Sequence, residues 1–478
     1  MKEILNYIDG ELKPAHSGHY LEVFDPSRGK PYALVASSDE KDVELAYQAA
    51  RKAFPLWSTM PVGERSQIMH RIADLIDEKF ELLAKAESLD NGKPLSLAKK
   101  VDVPRASANI RFFAQAITQF SSESHEMSDA INYTLRNPLG VVATISPWNL
   151  PLYLFTWKIA PALAAGNTVL AKPSEVTPLT AFHFGEICIE AGLPAGVLNI
   201  LHGEGPKVGA ALTQHPGVKA ISFTGSTRVG KEIASIAAPA FKKLSLEMGG
   251  KNPNIIFADC EYEEMLETTL RSSFANQGQI CLCGSRIYVE ASLYEKFKRD
   301  FVKRTKALKV GRPEASDTDI GAIVSKPHYD KILSYIDLAK KEGGNILCGG
   351  KAVKPAGAEE GWYIEPSIIE GLGVDCRSNQ EEIFGPLVSI TPFETEEEAI
   401  DLANSTPYGL SCTLWTQNLK RSQKLSKQIQ AGIVWINTWL HRDLRTPFGG
   451  VKQSGVGREG GLEALRFFTE AKNVCIKY

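Results

Sequence analysis

The segment around Cys281 has the strongest potential for chemistry in this sequence. It reads Asn-Gln-Gly-Gln-Ile-Cys-Leu-Cys-Gly over residues 276–284. Cys281 and Cys283 are separated by one residue, but no second Cys/His pair lies nearby at a spacing that zinc requires, so we predict no metal site. Most cysteines are inert buried residues. Cys281 differs because the surrounding glycines and amides let a ligand approach the backbone closely, which makes it a candidate functional residue.

A carboxylate beside paired glycines is the second candidate. Glu247 ends a candidate strand and is followed by Met248, Gly249 and Gly250. A carboxylate that can move on a glycine hinge suits general-base catalysis on water or a thiol. Considered alone, Glu247 could also be a solvated acid at the end of a strand.

Two glycine-rich turns follow candidate strands and could bind phosphate. Gly203, Gly205 and Gly209 follow one strand, and Gly225-Ser226 follows another. A strand, a glycine turn and a helix N-terminus together offer backbone N–H groups and a positive dipole end to a pyrophosphate. Neither turn has the G-x-G-x-x-G spacing, so an ordinary structural turn is the alternative.

The tetrapeptide Lys172-Pro173-Ser174-Glu175 ends a further candidate strand. An acid at this place could accept hydrogen bonds from the two hydroxyls of an adenosine ribose, and it would repel a 2′-phosphate. Glu175 therefore favours NAD over NADP. An ordinary turn at the end of a strand is the alternative.

These residues need a scaffold that brings distant segments together. Over residues 138–250, short β-rich runs alternate with helical runs, which predicts a parallel sheet covered by helices, with ligands at the carboxyl ends of its strands. A second α/β series covers residues 254–434, so we predict two α/β domains in tandem. The candidate strands of the first series are 141–146, 168–171, 197–200, 220–223 and 243–246.

The N-terminal region has a different pattern. Alternating apolar and polar residues around turn signals predict short edge strands in the first forty residues. Apolar residues at three- and four-residue spacing then predict helices over 39–54, 61–89 and 98–120. The polar segment 121–137 is either a boundary or a projecting hairpin.

Composition excludes several classes of protein. The chain has 54 Lys plus Arg against 56 Asp plus Glu, so no basic surplus indicates binding to nucleic acid or to an anionic membrane. With 478 residues, 43% hydrophobic and 23% charged, it is typical of a globular protein of roughly three domains. Eight cysteines are too few for a disulfide framework, and the N-terminus lacks the apolar region of a secretion signal, so we expect a reducing cytoplasm. The most apolar stretch, 159–171, is short and interrupted by Pro161 and Gly166, which favours core over a membrane span.

Taken in chain order, these segments resemble the aldehyde dehydrogenase superfamily over essentially the whole chain. Met248 stands where the family motif commonly has Leu, a nearly volume-conserving change from which we expect no functional consequence. Seven motifs in the family's order make the resemblance highly specific. They are Pro147-Trp-Asn-Leu-Pro151, Lys172-Pro-Ser-Glu175, Phe223-Thr-Gly-Ser-Thr227, Glu247-Met-Gly-Gly-Lys251, Gly278-Gln-Ile-Cys281, Glu381-Glu-Ile-Phe-Gly-Pro386 and Pro447-Phe-Gly-Gly450.

The resemblance implies the architecture of the protein. It implies an α/β fold with a Rossmann-type NAD-binding domain over 1–120 and 138–248 and an α/β catalytic domain over 249–446. A small β oligomerisation element would comprise 121–137 and 462–478. The strands of this element would pair across subunits, giving a homodimer or a homotetramer.

The resemblance also implies the reaction, the NAD(P)-dependent oxidation of a small-molecule aldehyde to a carboxylic acid. Cys281 would attack as a thiolate to form a thiohemiacetal. The side-chain amide of Asn149 and the backbone N–H of Cys281 would hold the oxyanion. After hydride transfer to the nicotinamide, Glu247 would activate the water that hydrolyses the thioester. Glu459 matches a second glutamate that would assist proton movement.

The family pattern assigns residues to the dinucleotide as well. Lys172 and Glu175 match the ribose-binding positions, Ser226 belongs to the pyrophosphate region, and Glu382 and Phe384 lie on the side of the nicotinamide ribose. The other residues assigned to NAD are Ile145, Ser146, Trp148, Ser174, Gly205, Gly209, Phe223, Thr224, Gly225 and Gly249.

Three segments outside the shared motifs indicate the substrate. Residues 437–450, 274–283 and 102–106 resemble the branch of the family that oxidises 2-hydroxymuconic and 2-aminomuconic semialdehydes in aromatic-ring catabolism. Counting back along the helix around 110–114, Arg105 falls where the superfamily usually lines its aldehyde tunnel with an apolar side chain.

Arg105 and Arg442 are therefore the candidate substrate-binding residues, together with Asn149. A guanidinium group in the tunnel suits a substrate that carries a carboxylate at its far end. The alternative is that Arg105 is a solvated charge on a helix face and that Arg442 pairs with Asp443. Whether Arg445 also contacts the substrate is left open.

Other functions stay open at this point. Within the family, the alternatives are a betaine-aldehyde or a general aliphatic aldehyde dehydrogenase, but paired tunnel arginines disfavour a cationic substrate. A CoA-acylating enzyme is disfavoured because Glu247 is present to activate water. A catalytically silent structural or binding relative is the alternative of another class, and the joint presence of Cys281, Asn149 and Glu247 speaks against it.

Overall fold

The computed structural model describes residues 1–478, and its first part contains the predicted short strands followed by helices. The predicted helix over 61–89 was wrong in one respect, because it is two helices separated at Lys79, whose backbone (φ −94°, ψ 20°) leaves the helical region. A π-helical turn over Ala98–Asp102 precedes the fifth helix. The elements are β1 (Lys2–Ile4), β2 (Asn6–Ile8), β3 (Glu11–Lys13), β4 (Tyr20–Asp25), β5 (Lys30–Ala36), α1 (Glu40–Thr59), α2 (Val62–Glu78), α3 (Phe80–Asn91), α4 (Leu95–Leu97), α5 (Val103–Ala116), β6 (Ser124–Glu126) and β7 (Ala130–Pro138).

The middle of the chain alternates strands and helices, and all five predicted strands are present. The central helix over Pro151–Ala164 is buried at every residue except Leu154, which confirms that the most apolar part of the sequence is core. The elements are β8 (Val141–Ile145), α6 (Pro151–Ala164), β9 (Thr168–Lys172), α7 (Leu179–Glu190), β10 (Leu198–Ile200), α8 (Ala210–Gln214), β11 (Ala220–Thr224), α9 (Thr227–Ala237) and β12 (Lys243–Glu247).

The remainder of the chain contains the second α/β series. Its elements are β13 (Asn252–Ile256), α10 (Tyr262–Phe274), β14 (Gly284–Glu290), α11 (Ala291–Ala307), α12 (Lys326–Lys341), β15 (Asn345–Cys348), β16 (Ala352–Val353), β17 (Tyr363–Ile364), β18 (Ser367–Glu370), α13 (Arg377–Gln380), β19 (Leu387–Phe393), α14 (Glu396–Asn404), β20 (Tyr408–Gly409), β21 (Ser411–Trp415), α15 (Leu419–Gln428), β22 (Ile433–Ile436), β23 (Val451–Lys452), β24 (Gly455–Val456), α16 (Gly461–Phe467) and β25 (Thr469–Lys477).

Two large sheets organise the molecule. The first has eight strands in the order β24-β12-β11-β8-β9-β10-β2-β3, and its five central strands are parallel. The second has seven strands in the order β15-β18-β19-β14-β13-β21-β22, parallel except for β15. Strands β12 and β13 are consecutive in the chain but belong to different sheets.

The hairpin of β6 and β7 forms a small antiparallel sheet with the C-terminal strand β25. Nine residues of β25 pair with β7 within the same chain, from Thr469 opposite Pro138 to Lys477 opposite Ala130. The expectation that these two segments pair with each other across subunits was therefore wrong. Of the two possibilities for 121–137, the structure therefore contains the hairpin. We propose that the two predicted α/β domains follow the two large sheets and that the predicted oligomerisation element follows the small sheet of β6, β7 and β25. One refinement is that β24 returns from beyond residue 446 to the edge of the first sheet.

No helix in the structure has the length and apolarity needed to cross a lipid bilayer.

Candidate active site

A cleft opens at the carboxyl ends of the first sheet. The strands β12, β11, β8 and β9 are adjacent and parallel, so their carboxyl ends lie along one edge. The chain continues from β8 to β9 in one direction and from β11 to β12 in the other, which makes the gap between β8 and β11 a topological switch point, where open α/β sheets bind ligands. The cleft there is lined by Pro147, Trp148, Asn149, Thr224, Gly225, Ser226, Met248, Gly249, Cys281, His328, Lys331, Glu382 and Phe384.

A second cavity, which we call the tunnel, meets the cleft from the other side. It encloses about 1390 Å³ of empty space including its open mouth. Thr224, Met248 and Cys281 line both the cleft and the tunnel, so the thiol lies where the two cavities meet. The other residues that line the tunnel are Leu97, Lys100, Val101, Leu150, Tyr153, Leu154, Glu247, Arg271, Ala275, Ile280, Leu282, Leu410, Thr438, Trp439, Leu440, His441, Arg442, Phe448 and Glu459.

An irregular turn presents Cys281 at this junction. After α10 ends, Asn276 and Gln277 adopt left-handed backbone conformations (φ 53° and 58°). At Gly278 (φ 71°) a Cβ would lie 2.2 Å from the carbonyl oxygen of Gly385, so no side chain fits there. Only glycine can therefore occupy position 278, three residues before Cys281.

The surroundings of Cys281 disfavour the thiolate form of its side chain. Burial raises the pKa of this thiol well above its ordinary value, and the negative charges of Glu382 and Glu247 raise it further. The positive charge of Arg442 acts in the opposite direction. Forming the nucleophilic thiolate therefore costs more free energy at Cys281 than it does for a thiol in water.

Glu247 is the last residue of β12 and faces the tunnel. Both carboxylate oxygens are buried and have no hydrogen-bond partner. Burial raises the pKa of Glu247 well above its ordinary value, the charge of Glu459 adds to the effect, and Lys158, Arg458 and Arg442 oppose it. A buried carboxylate with an unoccupied oxygen is suited to accept a proton from water.

Asn149 lies in the loop between β8 and α6 and is only 3% exposed. Its Nδ2 donates a hydrogen bond to the carbonyl oxygen of Gln279, at 3.0 Å, two residues before Cys281. An amide nitrogen has two hydrogens, so one remains for a ligand. The structure thus brings Asn149 and Cys281 to the same wall of the cleft.

The Lys172 and Glu175 side chains lie together beyond the cleft, at the same edge of the sheet. Lys172 Nζ donates to Glu175 Oε2 at 2.9 Å, and the backbone N–H of Gly205 points at Glu175 Oε1 at 3.5 Å. Burial raises the pKa of Glu175, but Lys172 and the hydrogen bonds outweigh it and hold the pKa below its ordinary value. Glu175 is therefore an ionised hydrogen-bond acceptor.

Close packing at two glycines shapes the cleft. A Cβ on Gly225 would lie 2.4 Å from Phe223 Cζ, and a Cβ on Gly249 would lie 1.9 Å from Glu382 Oε2. Ser226 caps α9 by accepting a hydrogen bond from Val229 N, so the positive end of this helix faces the cleft.

The remaining residues assigned to NAD from the sequence hold the strand ends in place. Ser146 N donates to the carbonyl oxygen of Lys172, and Ser174 Oγ accepts from Val176 N. Ile145 and Ser146 are buried at the end of β8. The predicted glycine turn over Gly205–Gly209 is a π-helical turn that continues into the short helix α8.

An aromatic cluster covers the other wall of the cleft. Trp148 lies 5.0 Å from His328 and 5.2 Å from Phe384 between ring centroids. Glu382 accepts a hydrogen bond from the backbone N–H of Gly250 at 2.9 Å, and burial raises its pKa to about 7. His328 was not among the residues predicted from the sequence, because no local pattern distinguishes it from a histidine on a helix surface.

Comparisons with known proteins agree with this geometry. The family model described as "Aldehyde dehydrogenase family" matches residues 13–474. The chain belongs to the aldehyde dehydrogenase family. Its predicted family and fold are thereby confirmed.

Individual members of the family are similar over their full length. A "2-aminomuconic semialdehyde dehydrogenase" from Bos taurus is 48% identical, over 99% of this chain and 98% of the relative. A "2-hydroxymuconic semialdehyde dehydrogenase" from Pseudomonas sp. (strain CF600) is 47% identical over 100% of both. A solved structure described as the NAD+ complex of aldehyde dehydrogenase from Bacillus cereus has a TM-score of 0.97 and 39% identity, covering 100% of this chain and 97% of that one.

Arg442 lines the tunnel of this aldehyde dehydrogenase. Its guanidinium lies 4.0 Å from the ring centroid of Phe448 and 5.0 Å from that of Trp157. Nη1 donates to the hydroxyl of Tyr153 at 3.0 Å, whereas Nη2 is buried and has no partner. Arg442 thus lines the tunnel and has one buried donor nitrogen without a partner in the protein.

The two alternatives considered for the arginines have different outcomes. Asp443 pairs with Arg445 at 2.6 Å and not with Arg442, so the alternative partner for Arg442 was wrong. Arg445 is 80% exposed and does not line the tunnel. Arg105 is half-buried, with its guanidinium 5.6 Å from the ring centroid of Tyr153, and it lies behind this tunnel residue without lining the cavity itself.

A buried polar network adjoins Glu247. Lys158 Nζ donates to Glu459 Oε1 at 2.8 Å and to Ser222 Oγ at 3.1 Å, and Ser222 Oγ also donates to Glu459 Oε1 at 3.1 Å. Lys158 was not among the residues predicted from the sequence. It could have been identified, because it is the only charged residue within the apolar sequence of α6.

A buried lysine supports the loop that carries Asn149. Lys93 is fully buried, and its Nζ donates to Asp102 Oδ1 at 2.9 Å and to the carbonyl oxygen of Asn149 at 3.2 Å. Glu87 lies 3.5 Å from the same ammonium group. Burial and the charge of Asp102 raise the pKa of Glu87, which leaves Asp102 as the charge partner of Lys93.

Replacing Lys93 by methionine is expected to destabilise the protein and to lower kcat. The variant leaves Asp102 buried without a counter-charge, which costs about 3 kcal/mol of unfolding free energy. Denaturant unfolding and steady-state kinetics measure the two effects. Lys85→Met, at an exposed position of helix α3, which ends two residues before Lys93, is the control. Equal unfolding midpoints for the two variants would contradict the prediction.

Proposed function

We propose that this chain is an NAD-dependent aldehyde dehydrogenase whose substrate is a semialdehyde with a carboxylate at its far end, such as 2-hydroxymuconic or 2-aminomuconic semialdehyde. The observation that carries the proposal is the position of Arg442 in the wall of the tunnel that reaches Cys281, with a guanidinium nitrogen, Nη2, that has no hydrogen-bond partner in the protein. A buried guanidinium donor without a partner is costly unless an anion occupies the site. The printed names of the two muconic semialdehyde relatives support the same substrate class.

The residues of the cleft fit a dinucleotide. Gly225 and Gly249 line the cleft and pack closely against Phe223 and Glu382, and the end of α9 offers a positive dipole to a pyrophosphate. Glu175, held ionised by Lys172, is an acceptor for ribose hydroxyls and would repel a 2′-phosphate. When bound, NAD accepts the hydride that the substrate loses. The NAD+ complex of the similar Bacillus cereus enzyme supports this assignment.

The chemistry on the protein side begins at Cys281. The thiol passes its proton to the carboxylate of Glu247, which lines the same tunnel and later releases the proton to solvent. The sulfur then attacks the aldehyde carbon, a C–S bond forms, and the carbonyl oxygen becomes an oxyanion. The amide of Asn149 and the backbone N–H of Cys281 stabilise this charge. Loss of hydride then leaves a thioester on Cys281.

Glu247 completes the reaction. Its carboxylate takes a proton from water, the resulting hydroxide attacks the thioester, and the C–S bond breaks to release the acid and the thiol. Glu459, which shares the tunnel and is hydrogen-bonded to Lys158 and Ser222, receives protons from this region.

The wild-type enzyme tests the proposal directly. NADH formation from 2-hydroxymuconic semialdehyde is measured beside hexanal, a neutral aldehyde of the same chain length, and betaine aldehyde, a cation. We expect kcat/KM for the semialdehyde to exceed that for hexanal by about a hundredfold, because a paired buried carboxylate is worth roughly 2–5 kcal/mol. Equal use of the three aldehydes would refute the substrate class, and a thioester formed only with added CoA would refute hydrolysis.

We propose further that the protein is a homodimer or a homotetramer in a reducing, cytoplasmic compartment. The small sheet of β6, β7 and β25 supports an oligomer, because most of its side chains are exposed on a single chain. A reducing compartment agrees with a nucleophile that must stay a free thiol.

A further inference from the structure

The mouth of the tunnel has a distinctive set of side chains. Among all residues that line the tunnel, three are exposed: Lys100, Arg271 and His441. All three are basic residue types. No acidic residue is exposed in the tunnel lining.

These three residues come from separate segments of the chain. Lys100 belongs to the π-helical turn before α5, Arg271 to the last turn of α10, and His441 to the loop after β22. Arg271 lies 6.0 Å above the ring centroid of Trp439, which also lines the tunnel. Only the tertiary structure brings the three together.

The two permanent cations, Lys100 and Arg271, are also unpaired. Neither makes a salt bridge or a side-chain hydrogen bond in the structure. Adjacent surface cations behave differently, since Lys99 pairs with Glu81 at 2.8 Å and Arg445 pairs with Asp443 at 2.6 Å. Because their charges are not neutralised by partners, Lys100 and Arg271 act on whatever enters the tunnel.

Charge therefore changes sign along the tunnel. The cations at the mouth are exposed, Arg442 in the wall is half-buried, and the two carboxylates, Glu247 and Glu459, are buried. A molecule with a carboxylate at one end and a neutral aldehyde at the other has its lowest energy with the aldehyde inward.

We infer that Lys100 and Arg271 form an entrance pair that captures anionic aldehydes and turns their carboxylate outward before Arg442 binds it. This inference rests on the proposed substrate class. It adds a second group of specificity residues that acts on capture, whereas Arg442 acts on the bound substrate. Electrostatic attraction of this kind is screened by salt, because exposed charges interact over a Debye length of about 10 Å at ~0.1 M ionic strength.

The double variant Lys100→Met/Arg271→Met tests the entrance pair. The control is Lys303→Met/Arg51→Met, which removes the same two charge types from exposed positions that do not line the tunnel. At low ionic strength we expect kcat/KM for 2-hydroxymuconic semialdehyde to fall about tenfold in the entrance variant, with kcat unchanged. Hexanal kinetics and the control variant should not change. At ~0.5 M salt the tenfold difference should shrink to less than about twofold.

The outcomes separate the inference from the proposed function. If the wild type prefers the semialdehyde but the entrance variant matches it at every ionic strength, the entrance pair is refuted and the substrate class stands. If hexanal and the semialdehyde lose equally, the two residues only support the fold of the mouth, which also refutes the pair. A wild type without any preference for the acidic aldehyde refutes the proposed function instead. The unfolding midpoint of the double variant, compared with the control, shows whether a loss comes from misfolding.

Discussion

Replacing Glu247 by glutamine is expected to lower the steady-state rate of NADH formation about a thousandfold, within the range of roughly 10²–10⁴ that general-base catalysis contributes. Glutamine keeps the size of the side chain but cannot accept a proton from water. The thioester on Cys281 should then be hydrolysed slowly. Added hydroxylamine, which attacks a thioester without a general base, should restore part of the rate. A thousandfold loss that hydroxylamine does not relieve would contradict this role for Glu247.

The pH dependence of the wild type checks the same residue. Because burial and the charge of Glu459 raise the pKa of Glu247, its carboxylate becomes available as a base only above the ordinary carboxyl range. We expect kcat of the wild type to rise with pH through that raised pKa. The Glu247→Gln variant should not show this rise. The variant Glu459→Gln removes a negative charge near Glu247 and so lowers the pKa of Glu247. The rise in kcat should therefore move to lower pH. A rise in kcat that occurs at the same pH in the wild type and in both variants would contradict the role of Glu247 as the base.

Replacing Arg442 by methionine is expected to change the selectivity of the enzyme. Methionine retains apolar contact with Phe448 and Trp157 but removes the positive charge and the donors of a residue that lines the tunnel. For the acidic semialdehyde, kcat/KM should fall about a thousandfold, which corresponds to about 4 kcal/mol for a bound carboxylate left unpaired. For hexanal, the change should stay within about tenfold, since a neutral chain does not need the guanidinium.

Arg445→Met is the matched control for this prediction. Arg445 is three residues away, exposed and paired with Asp443, so its removal should leave both aldehydes unaffected. Arg105→Met should give an intermediate loss, because Arg105 acts through the ring of Tyr153 and does not line the tunnel. Because Arg442 also lowers the pKa of Glu247, the variants are compared at a pH where kcat no longer changes. Equal losses on both aldehydes would mean that Arg442 serves the fold or the chemical step rather than the carboxylate.

Much of the site was accessible from the sequence alone. The residues at the strand ends were identified because a parallel strand, a glycine turn and a helix start form one short continuous segment. Glu247 at the end of β12 and Ser226 at the start of α9 are examples. Gly278 and Gly249 were also informative, since each stands where a Cβ would meet a neighbouring atom at close range. Such constraints act over a few residues and therefore leave a readable local pattern.

The ends of helices and the partners of charged side chains were harder to predict from the sequence. The helix predicted over 61–89 is broken at Lys79, although the apolar periodicity continues through it. The alternative pairing of Arg442 with Asp443 looked reasonable because the two are adjacent in sequence. In the structure the loop directs Asp443 to Arg445 and places Arg442 between aromatic rings of the tunnel.

By itself, the sequence determined the family, the α/β architecture and the residues proposed for catalysis, because each depends on short segments in a given order. Tertiary structure alone decided which charges meet. Lys158 and Glu459 are 301 residues apart and share a buried hydrogen bond, while Lys100, Arg271 and Arg442 come from three segments and share one tunnel. Electrostatic interactions depend on distance and burial in space, and neither quantity is encoded in the spacing of residues along the chain.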